Sequence, residues 1–425
     1  MKPKTIRIHR SLAVLFCTLS CLGAQLAAQE LTKSGRYYVA EISRTFKVGE
    51  GGTIRIFEIR GDVVVSAWAK PEVFVKEIKK MDVFTREEAE TVLERSKSSY
   101  RQEGNDIAIG GEYYRRDWIK SVFEVSAPTS FSVDIQTRGG DLAVSDLAGA
   151  VKLSTSGGEI VLRNIGGRVN AKTSGGDIRV INADDEVTLK TSGGDLELED
   201  IAGPLTAKTS GGDITLRTSG GEVILHTSGG SIEIEQVQGD LEAHTSGGDI
   251  TVVDTQGDVE VHTSGGDIRF RNVGGALDAS TSGGDIRGRT VVGSARVSTA
   301  GGDIEIDRLQ GGIEGKTAGG DIIVEMTLTD FSKEHRVELR TAGGEIRLVI
   351  PEKLPARIRA EIEVSDRWES YNIYSDFPLT SSDQDEDRRS RRHRRYITSE
   401  GEINGGGNLI DLYTHNGNIY IKKLR

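Results

Sequence analysis

The chain contains the motif Thr-x-Gly-Gly thirteen times, and most copies are 18 residues apart. The copies begin at Thr137, Thr155, Thr173, Thr191, Thr209, Thr218, Thr227, Thr245, Thr263, Thr281, Thr299, Thr317 and Thr341. A fixed period of this kind is typical of stacked coils, because one repeat is too small to bury a core alone. The repeat therefore predicts an elongated solenoid and argues against a globular enzyme.

Apolar residues follow a fixed pattern when each copy is counted from its Thr as position 1. They fall at positions 6 and 8, as in Ile178 and Val180, and at positions 15 and 17, as in Leu205 and Ala207. Because alternate side chains of a strand face one side, each coil is expected to hold two short strands. We expect glycine at positions 3, 4 and 13 to permit turns with positive φ.

The predicted fold class is mainly β, a parallel β-helix or β-solenoid with 18-residue coils. Right-handed winding is expected, as for most parallel crossovers. The nine-residue spacing of Thr209, Thr218 and Thr227 indicates that the two halves of a coil are interchangeable. A left-handed triangular solenoid would place the acid of position 5 in the core. Calcium-binding nonapeptide rolls need a third glycine before the Asp, whereas here Asp follows Gly-Gly directly.

Four segments are expected along the chain. Residues 1–28 have the basic start and short apolar stretch of an export signal. Residues 29–135 predict a strand-rich α/β module with one helix at about 85–98, because Thr85-Arg86-Glu87-Glu88 forms a capping box. Residues 136–350 hold the solenoid. Residues 351–425 predict degenerate C-terminal coils with a disordered charged loop at 381–395.

Composition narrows the compartment and the partners. The net charge is −11, and it becomes −15 once the four cations of the export signal are removed. An acidic chain argues against nucleic acid as a partner, since phosphate contacts need clustered Lys and Arg. No stretch reaches the roughly 20 apolar residues of a transmembrane segment. Location in the periplasm, at the cell surface or outside the cell is expected, for a monomer with capped ends.

The two cysteines, Cys17 and Cys21, both lie inside the export signal. Cleavage after Ala28 leaves a mature chain without thiol or disulfide chemistry. Lipoprotein anchoring at Cys21 is the alternative, but the lipidation motif prefers Leu where this chain has Thr18. Cleavage without lipidation is therefore the favoured interpretation.

Further motifs flank the array and point to a family. They are Ile59-Arg60-Gly61-Asp62-Val63 with Trp68, the Thr-Ser-Gly-Gly-Asp-Ile copies themselves, Tyr374-Ser375-Asp376-Phe377-Pro378-Leu379, Gly405-Gly406-Gly407 and Asn416-Gly417-Asn418-Ile419. Together they resemble the bacterial putative-adhesin β-strand-repeat family, over nearly the whole mature chain. The resemblance implies an exported β-repeat protein and supplies no catalytic residues.

Position 5 carries an acid in ten copies, which would stack in one column: Asp141, Glu159, Asp177, Asp195, Asp213, Asp249, Asp267, Asp285, Asp303 and Asp321. Neighbouring carboxylates about 4.8 Å apart repel each other by roughly 1 kcal/mol in water. The favoured interpretation is that each carboxylate accepts turn amides or hydroxyls. The alternative is a ladder for divalent cations, with Asp249, Asp267, Asp285 and Asp303 as the candidate ligands.

Two further groups are candidate binding sites. His226, His244 and His262 occupy position 18 of successive copies, where stacked imidazoles could bind zinc or copper. Solvated surface positions are the simpler interpretation. Six arginines, Arg388, Arg389, Arg391, Arg392, Arg394 and Arg395, could dock anionic envelope glycans or lipid head groups. A disordered loop is the simpler interpretation there too.

The acids recur identically along the array, whereas a polysaccharide-active β-helix needs two or three acids in one cleft. The repeated serines also lack a dedicated base. We therefore expect no catalytic residue, no cofactor and no bound metal. The favoured function is an exported non-enzymatic solenoid whose repetitive surface binds a cell-envelope glycan or protein. A periplasmic scaffold or signalling partner in envelope homeostasis is the alternative, and a polysaccharide-active enzyme is the least favoured.

Overall fold

The computed structural model describes residues 30–111, 119–365, 370–386 and 394–424. The export signal with Cys21 lies outside these ranges. Eight strands and one helix precede the array: β1 (Glu30–Ser34), β2 (Tyr37–Lys47), β3 (Gly52–Ile59), β4 (Gly61–Trp68), β5 (Glu72–Met81), α1 (Arg86–Arg95), β6 (Ser99–Glu103), β7 (Asp106–Gly110) and β8 (Ile119–Pro128).

The array alternates strands of four to seven residues. They are β9 (Phe131–Thr137), β10 (Leu142–Leu147), β11 (Val151–Ser154), β12 (Ile160–Ile165), β13 (Val169–Lys172), β14 (Ile178–Ala183), β15 (Val187–Lys190), β16 (Leu196–Ile201), β17 (Leu205–Lys208), β18 (Ile214–Ser219), β19 (Val223–His226), β20 (Ile232–Val237), β21 (Leu241–His244), β22 (Ile250–Thr255), β23 (Val259–His262), β24 (Ile268–Val273), β25 (Leu277–Ser280), β26 (Ile286–Val291), β27 (Ala295–Ser298), β28 (Ile304–Leu309), β29 (Ile313–Lys316), β30 (Ile322–Met326), β31 (Val337–Thr341) and β32 (Ile346–Pro351).

Six strands follow the array: β33 (Ala356–Val364), β34 (Ile373–Ser375), β35 (Thr380–Glu386), β36 (Arg394–Ile403), β37 (Asn408–His415) and β38 (Ile419–Leu424). No helix in the described part of the chain has the length and apolar character that crossing a membrane requires.

The array forms two parallel sheets. We call sheet 1 the sheet that contains the strand after each Gly-Gly pair, from β10 to β32, and sheet 2 the sheet of the intervening strands, from β9 to β31. Each strand pairs in parallel with its counterpart 18 residues on, as Ile178 does with Leu196 in sheet 1 and Val187 with Leu205 in sheet 2. The predicted β-solenoid with two short strands per coil is confirmed.

One continuous core lies between the sheets and extends from Ile54 to Ile421. The predicted positions 6, 8, 15 and 17 are buried, for example Ile178, Val180, Val187 and Leu189 in one coil. Two further positions are buried that the apolar pattern did not reveal. They are position 11, such as Ala183, and the Thr of position 1.

The role of the glycines differs from the one that the sequence suggested. Within the array the left-handed backbone occurs at position 10, where non-glycine residues such as Asn182 (φ 60°) and Asn272 (φ 58°) sit. No array glycine is among the positive-φ residues of the described chain. Position 4 needs glycine because of close approach: a Cβ on Gly176 would lie 2.0 Å from the carbonyl oxygen of Gly158 in the preceding coil.

The buried Thr of position 1 explains why the coils approach so closely. The hydroxyl of Thr173 donates to the carbonyl oxygen of Gly158 (3.0 Å) and accepts the amide of Gly176 (3.4 Å). The same pair of bonds recurs along the array, as at Thr245. One side chain therefore joins its own turn to the turn before it.

Additional coils continue the solenoid beyond the motif copies. Strands β3 and β4 pair in parallel with β9 and β10 and share their core. At the other end β37 and β38 pair in parallel with β31 and β32. Thr414 donates to the carbonyl oxygen of Gly344 (2.7 Å), so the degenerate last copy predicted there is confirmed. The division at residue 135 stays a prediction, and packing is continuous across it.

Helix α1 covers a second, smaller core formed by Tyr38, Ala40, Met81, Val83, Ala89, Val92 and Leu93. Its predicted capping box is present, since Thr85 accepts the amide of Glu88 and Glu88 accepts the amide of Thr85. The helix ends at Arg95, earlier than predicted. Ser96 leaves helical geometry (φ −118°, ψ 26°), and its carbonyl accepts the buried ammonium of Lys79.

The two ends of the predicted charged loop at 381–395 are strands. β35 pairs antiparallel with β36, and the hydroxyl groups of Ser381 and Ser399 (2.7 Å) lie across the pair. Arg395 adds an ion pair with Asp383 from the facing strand. Cross-strand pairs of this kind offset the low apolar content that suggested a loop.

Candidate functional site

The acid column of position 5 forms hydrogen bonds to the backbone along sheet 1. The Oδ1 atoms of Asp249, Asp267, Asp285 and Asp303 accept the amides of the position-5 residues one coil on, at 2.8–2.9 Å. These bonds confirm that the carboxylates accept turn amides. One oxygen of each candidate cation ligand is therefore already engaged.

Arginines also contact this column. Arg269 contacts Asp249 (3.0 Å) and Asp267 (2.6 Å), and Arg287 contacts Asp285 (2.8 Å). The amide of Asp267, assisted by Arg269, lowers the pKa of Asp249 below its ordinary value. At Glu159 burial, with the neighbouring carboxylates, raises the pKa instead.

The histidine column lies on the exposed face of sheet 2. The rings of His244 and His262 are 6.1 Å apart, His244 Nε2 lies 3.1 Å from Glu242, and His262 Nδ1 lies 2.8 Å from the Ser280 hydroxyl. His226 is exposed. Among the described residues, no group of three or more His, Cys, Asp or Glu side chains is arranged to hold a metal ion. Metal binding by either column stays a prediction.

A groove of about 940 Å³ crosses the exposed face of sheet 2. Its charged lining consists of nine carboxylates, Glu222, Asp240, Glu242, Asp258, Glu260, Asp278, Glu314, Glu334 and Glu338, against Arg296, Lys316 and Arg336. The acids come from positions 14 and 16 of successive coils. We call this surface the sheet 2 groove.

Within the groove Glu242, Glu260 and Asp278 face each other in register on β21, β23 and β25. Directly opposed like charges destabilise a sheet, so this row is not explained by folding. Sequence reasoning missed it because attention fell on the position shared by every copy. Counting positions 14 and 16 across copies would have revealed it.

Sheet 1 carries a cluster of the opposite sign in the same part of the rod. Arg269 and Arg271 of β24 lie in register with Arg287 and Arg289 of β26. Arg269 and Arg287 contact the acid column, whereas Arg271 and Arg289 have no ion pair with a carboxylate of the described residues. The outward residues of the next strand, β28, are Glu305 and Asp307, which lie opposite Arg287 and Arg289.

The arginine segment predicted to bind anions is only partly described. Arg388, Arg389, Arg391 and Arg392 lie outside the described residues, as does the side chain of Arg394. Arg395 binds Asp383 through both Nε and Nη2. Anion binding by this segment stays a prediction.

Comparisons with known proteins agree with the repeat architecture. A family model described as Toastrack DUF4097 matches residues 199–290, inside the array. This match confirms the resemblance to a putative-adhesin β-repeat family of unknown function. No curated protein matches the chain.

Two solved structures are similar to the chain at low identity. One is a putative adhesin from Bacteroides fragilis, with 13% identity and a TM-score of 0.27, covering 63% of this chain and 96% of its own. The other is a putative cell adhesion protein from Clostridium sporogenes, with 9% identity and a TM-score of 0.17, covering 90% of this chain and 99% of its own. TM-scores this low do not establish a common arrangement of the whole chains.

Proposed function

We propose that this Toastrack-like chain is an exported, non-enzymatic β-solenoid that binds a cell-envelope glycan or protein through the sheet 2 groove. The row Glu242, Glu260 and Asp278 carries the proposal, because its charges oppose one another in register across successive strands. Such an arrangement costs stability, and a bound partner with cationic groups would offset that cost. The periodic lining suits an extended partner that contacts several coils at once.

The repeated groups in the rest of the array have structural partners, which supports a binding role over catalysis. The Thr hydroxyls bond to backbone carbonyls and the position-5 acids accept backbone amides, as Thr245 and Asp249 do. A catalytic acid would need a distinct environment with a perturbed pKa. The groove residues Glu242, Glu260 and Asp278 instead repeat one environment from coil to coil.

Binding is tested by cosedimentation of the purified protein with isolated envelope material. We expect the neutral variant Glu242→Gln/Glu260→Gln/Asp278→Asn to lose binding, because the groove then lacks its row of charges. The matched control is Glu197→Gln/Glu199→Gln, which removes acids from the exposed face of sheet 1. Equal binding by the groove variant and the original chain would refute the proposal.

Export to an exposed position is tested by protease treatment of intact cells, with lysed cells as the control. Trypsin is suitable because residues 388–395 include six arginines. Cleavage in intact cells would support a surface location for the binding face. Protection until lysis would refute surface exposure and favour a scaffold that meets its partner inside the envelope.

A further inference from the structure

The two exposed faces of the rod carry opposite charge over the same few coils. Each sheet turns one side to the shared core, so the outward side chains of sheet 1 and sheet 2 lie on opposite sides of the rod. Sheet 1 presents Arg271 and Arg289, while sheet 2 presents Glu260 and Asp278. A rod with this polarity can pair back to front with an identical rod.

The cationic face has its own unresolved repulsion. Arg271 and Arg289 are exposed and stand directly opposite each other on neighbouring strands. Their neighbours Arg269 and Arg287 are held by the acid column. Two opposed guanidinium groups repel, as the opposed carboxylates of sheet 2 do. Each face therefore contains the charge that the other lacks.

The order of the charges also matches over three successive strands. On sheet 1, β24 and β26 present arginines, and β28 presents Glu305 and Asp307. On sheet 2, β23 presents Glu260, β25 presents Asp278, and β27 presents Arg296. Both series therefore change sign at the third strand. Both also repeat at the strand spacing of about 4.8 Å, so every step can be matched at once.

We propose that a second copy of this chain occupies the sheet 2 groove, laying its sheet 1 against it with the rods parallel. The inference rests on the proposed function, because it names the partner of the same groove. In this arrangement β24, β26 and β28 of one copy face β23, β25 and β27 of the other. Antiparallel rods would place Arg296 against arginines, which disfavours them.

The pairing uses different surfaces on the two copies, so each copy keeps one free face. Contacts of this type do not close and can extend into open arrays. The charges are exposed, and exposed pairs contribute little individually and are screened by salt. The association should therefore be weak and concentration-dependent, and it should disappear as ionic strength rises.

Sedimentation velocity of the purified protein at low and high salt tests the proposal. We expect concentration-dependent association at 20 mM NaCl, on the order of tenfold weaker or more in either of two charge-reversed variants. The first, Arg271→Glu/Arg289→Glu, reverses sheet 1. The second, Glu260→Lys/Asp278→Lys, reverses sheet 2.

Mixing the two variants supplies the decisive control. Each variant carries like charge on both faces and should remain monomeric alone, whereas the mixture should associate because the faces are again complementary. A circular dichroism spectrum and thermal melt of each variant establish that it is folded. A monomeric original chain at low salt, or a mixture that fails to associate, would overturn the proposal.

The result can be separated from a failure of the proposed function. If the original chain stays monomeric but loses envelope binding when Glu242, Glu260 and Asp278 are neutralised, only the self-association is wrong. If the neutralised groove still binds envelope material, the proposed function fails, whatever the sedimentation shows. Should added poly-lysine but not a second copy bind the groove, the self-association is likewise overturned.

Discussion

Replacing Gly176 with alanine tests how closely the coils approach each other. The new Cβ would lie 2.0 Å from the carbonyl oxygen of Gly158, which is backbone and cannot rotate away. The same oxygen accepts the hydroxyl of Thr173, so any shift that relieves the clash weakens that bond. Overpacking costs about 1–3 kcal/mol and a lost hydrogen bond about 1 kcal/mol. We expect the free energy of unfolding to fall by about 2–4 kcal/mol.

The neighbouring Gly175 is the matched control. An alanine Cβ there would find its nearest neighbour, the Cα of Gly157, at 3.9 Å. Neither glycine is among the positive-φ residues. Gly175→Ala should therefore leave stability unchanged or raise it by about 0.4–1 kcal/mol, through the reduced entropy of the unfolded chain.

Guanidinium unfolding followed by far-UV circular dichroism compares the two variants with the original chain. Equal effects of Gly175→Ala and Gly176→Ala would refute the close-approach argument, since the two differ only in what their Cβ meets. A larger loss at Gly175 would show that the turn, and not the contact between coils, requires glycine.

Three further substitutions test other parts of the array. Thr245→Val removes the hydroxyl bond to Gly230 and should cost about 1–2 kcal/mol in urea unfolding, whereas the outward Thr206→Val should cost little. Thr290→Asn should raise the thermal midpoint, because a β-branched residue is strained at φ 63°; an unchanged midpoint would contradict this. Glu159→Gln should stabilise the fold at pH 7, because the raised pKa means that the charged form of Glu159 opposes folding. That gain should vanish below the unfolded pKa of about 4.3, and thermal melts from pH 3 to 7 would expose a gain that persists in acid.

The sequence predicts the solenoid because the repeat appears in one dimension. The apolar positions 6, 8, 15 and 17 follow from strand alternation, and all are buried in the coil of Ile178. Position 11 escaped the pattern because it depends on the left-handed residue before it, such as Asn182. A conformation of that kind is set by the corner of the coil, which alternation alone does not reveal.

Contacts between coils were the least predictable feature. The need for glycine at Gly176 comes from a carbonyl 18 residues earlier, so local turn rules gave the wrong reason for the right residue. The first coil, β3 and β4, was also hidden, because it pairs with the array without a Thr-x-Gly-Gly copy of its own. The sheet 2 groove needed the structure, which shows that positions 14 and 16 share one exposed face.

Positions that the fold determines can be separated from positions that it leaves free. Thr at position 1, glycine at position 4 and the acid at position 5 each serve a contact with the neighbouring coil, as Thr173, Gly176 and Asp249 show. Their regularity therefore carries no information about a partner. Outward positions make no such contact, and random choice there would not place like charges in register on both faces. The opposed pairs Glu242 with Glu260 and Arg271 with Arg289 cost stability in the isolated rod. A partner that neutralises them is the physical reason to keep them, which is why function is sought where the repeat varies.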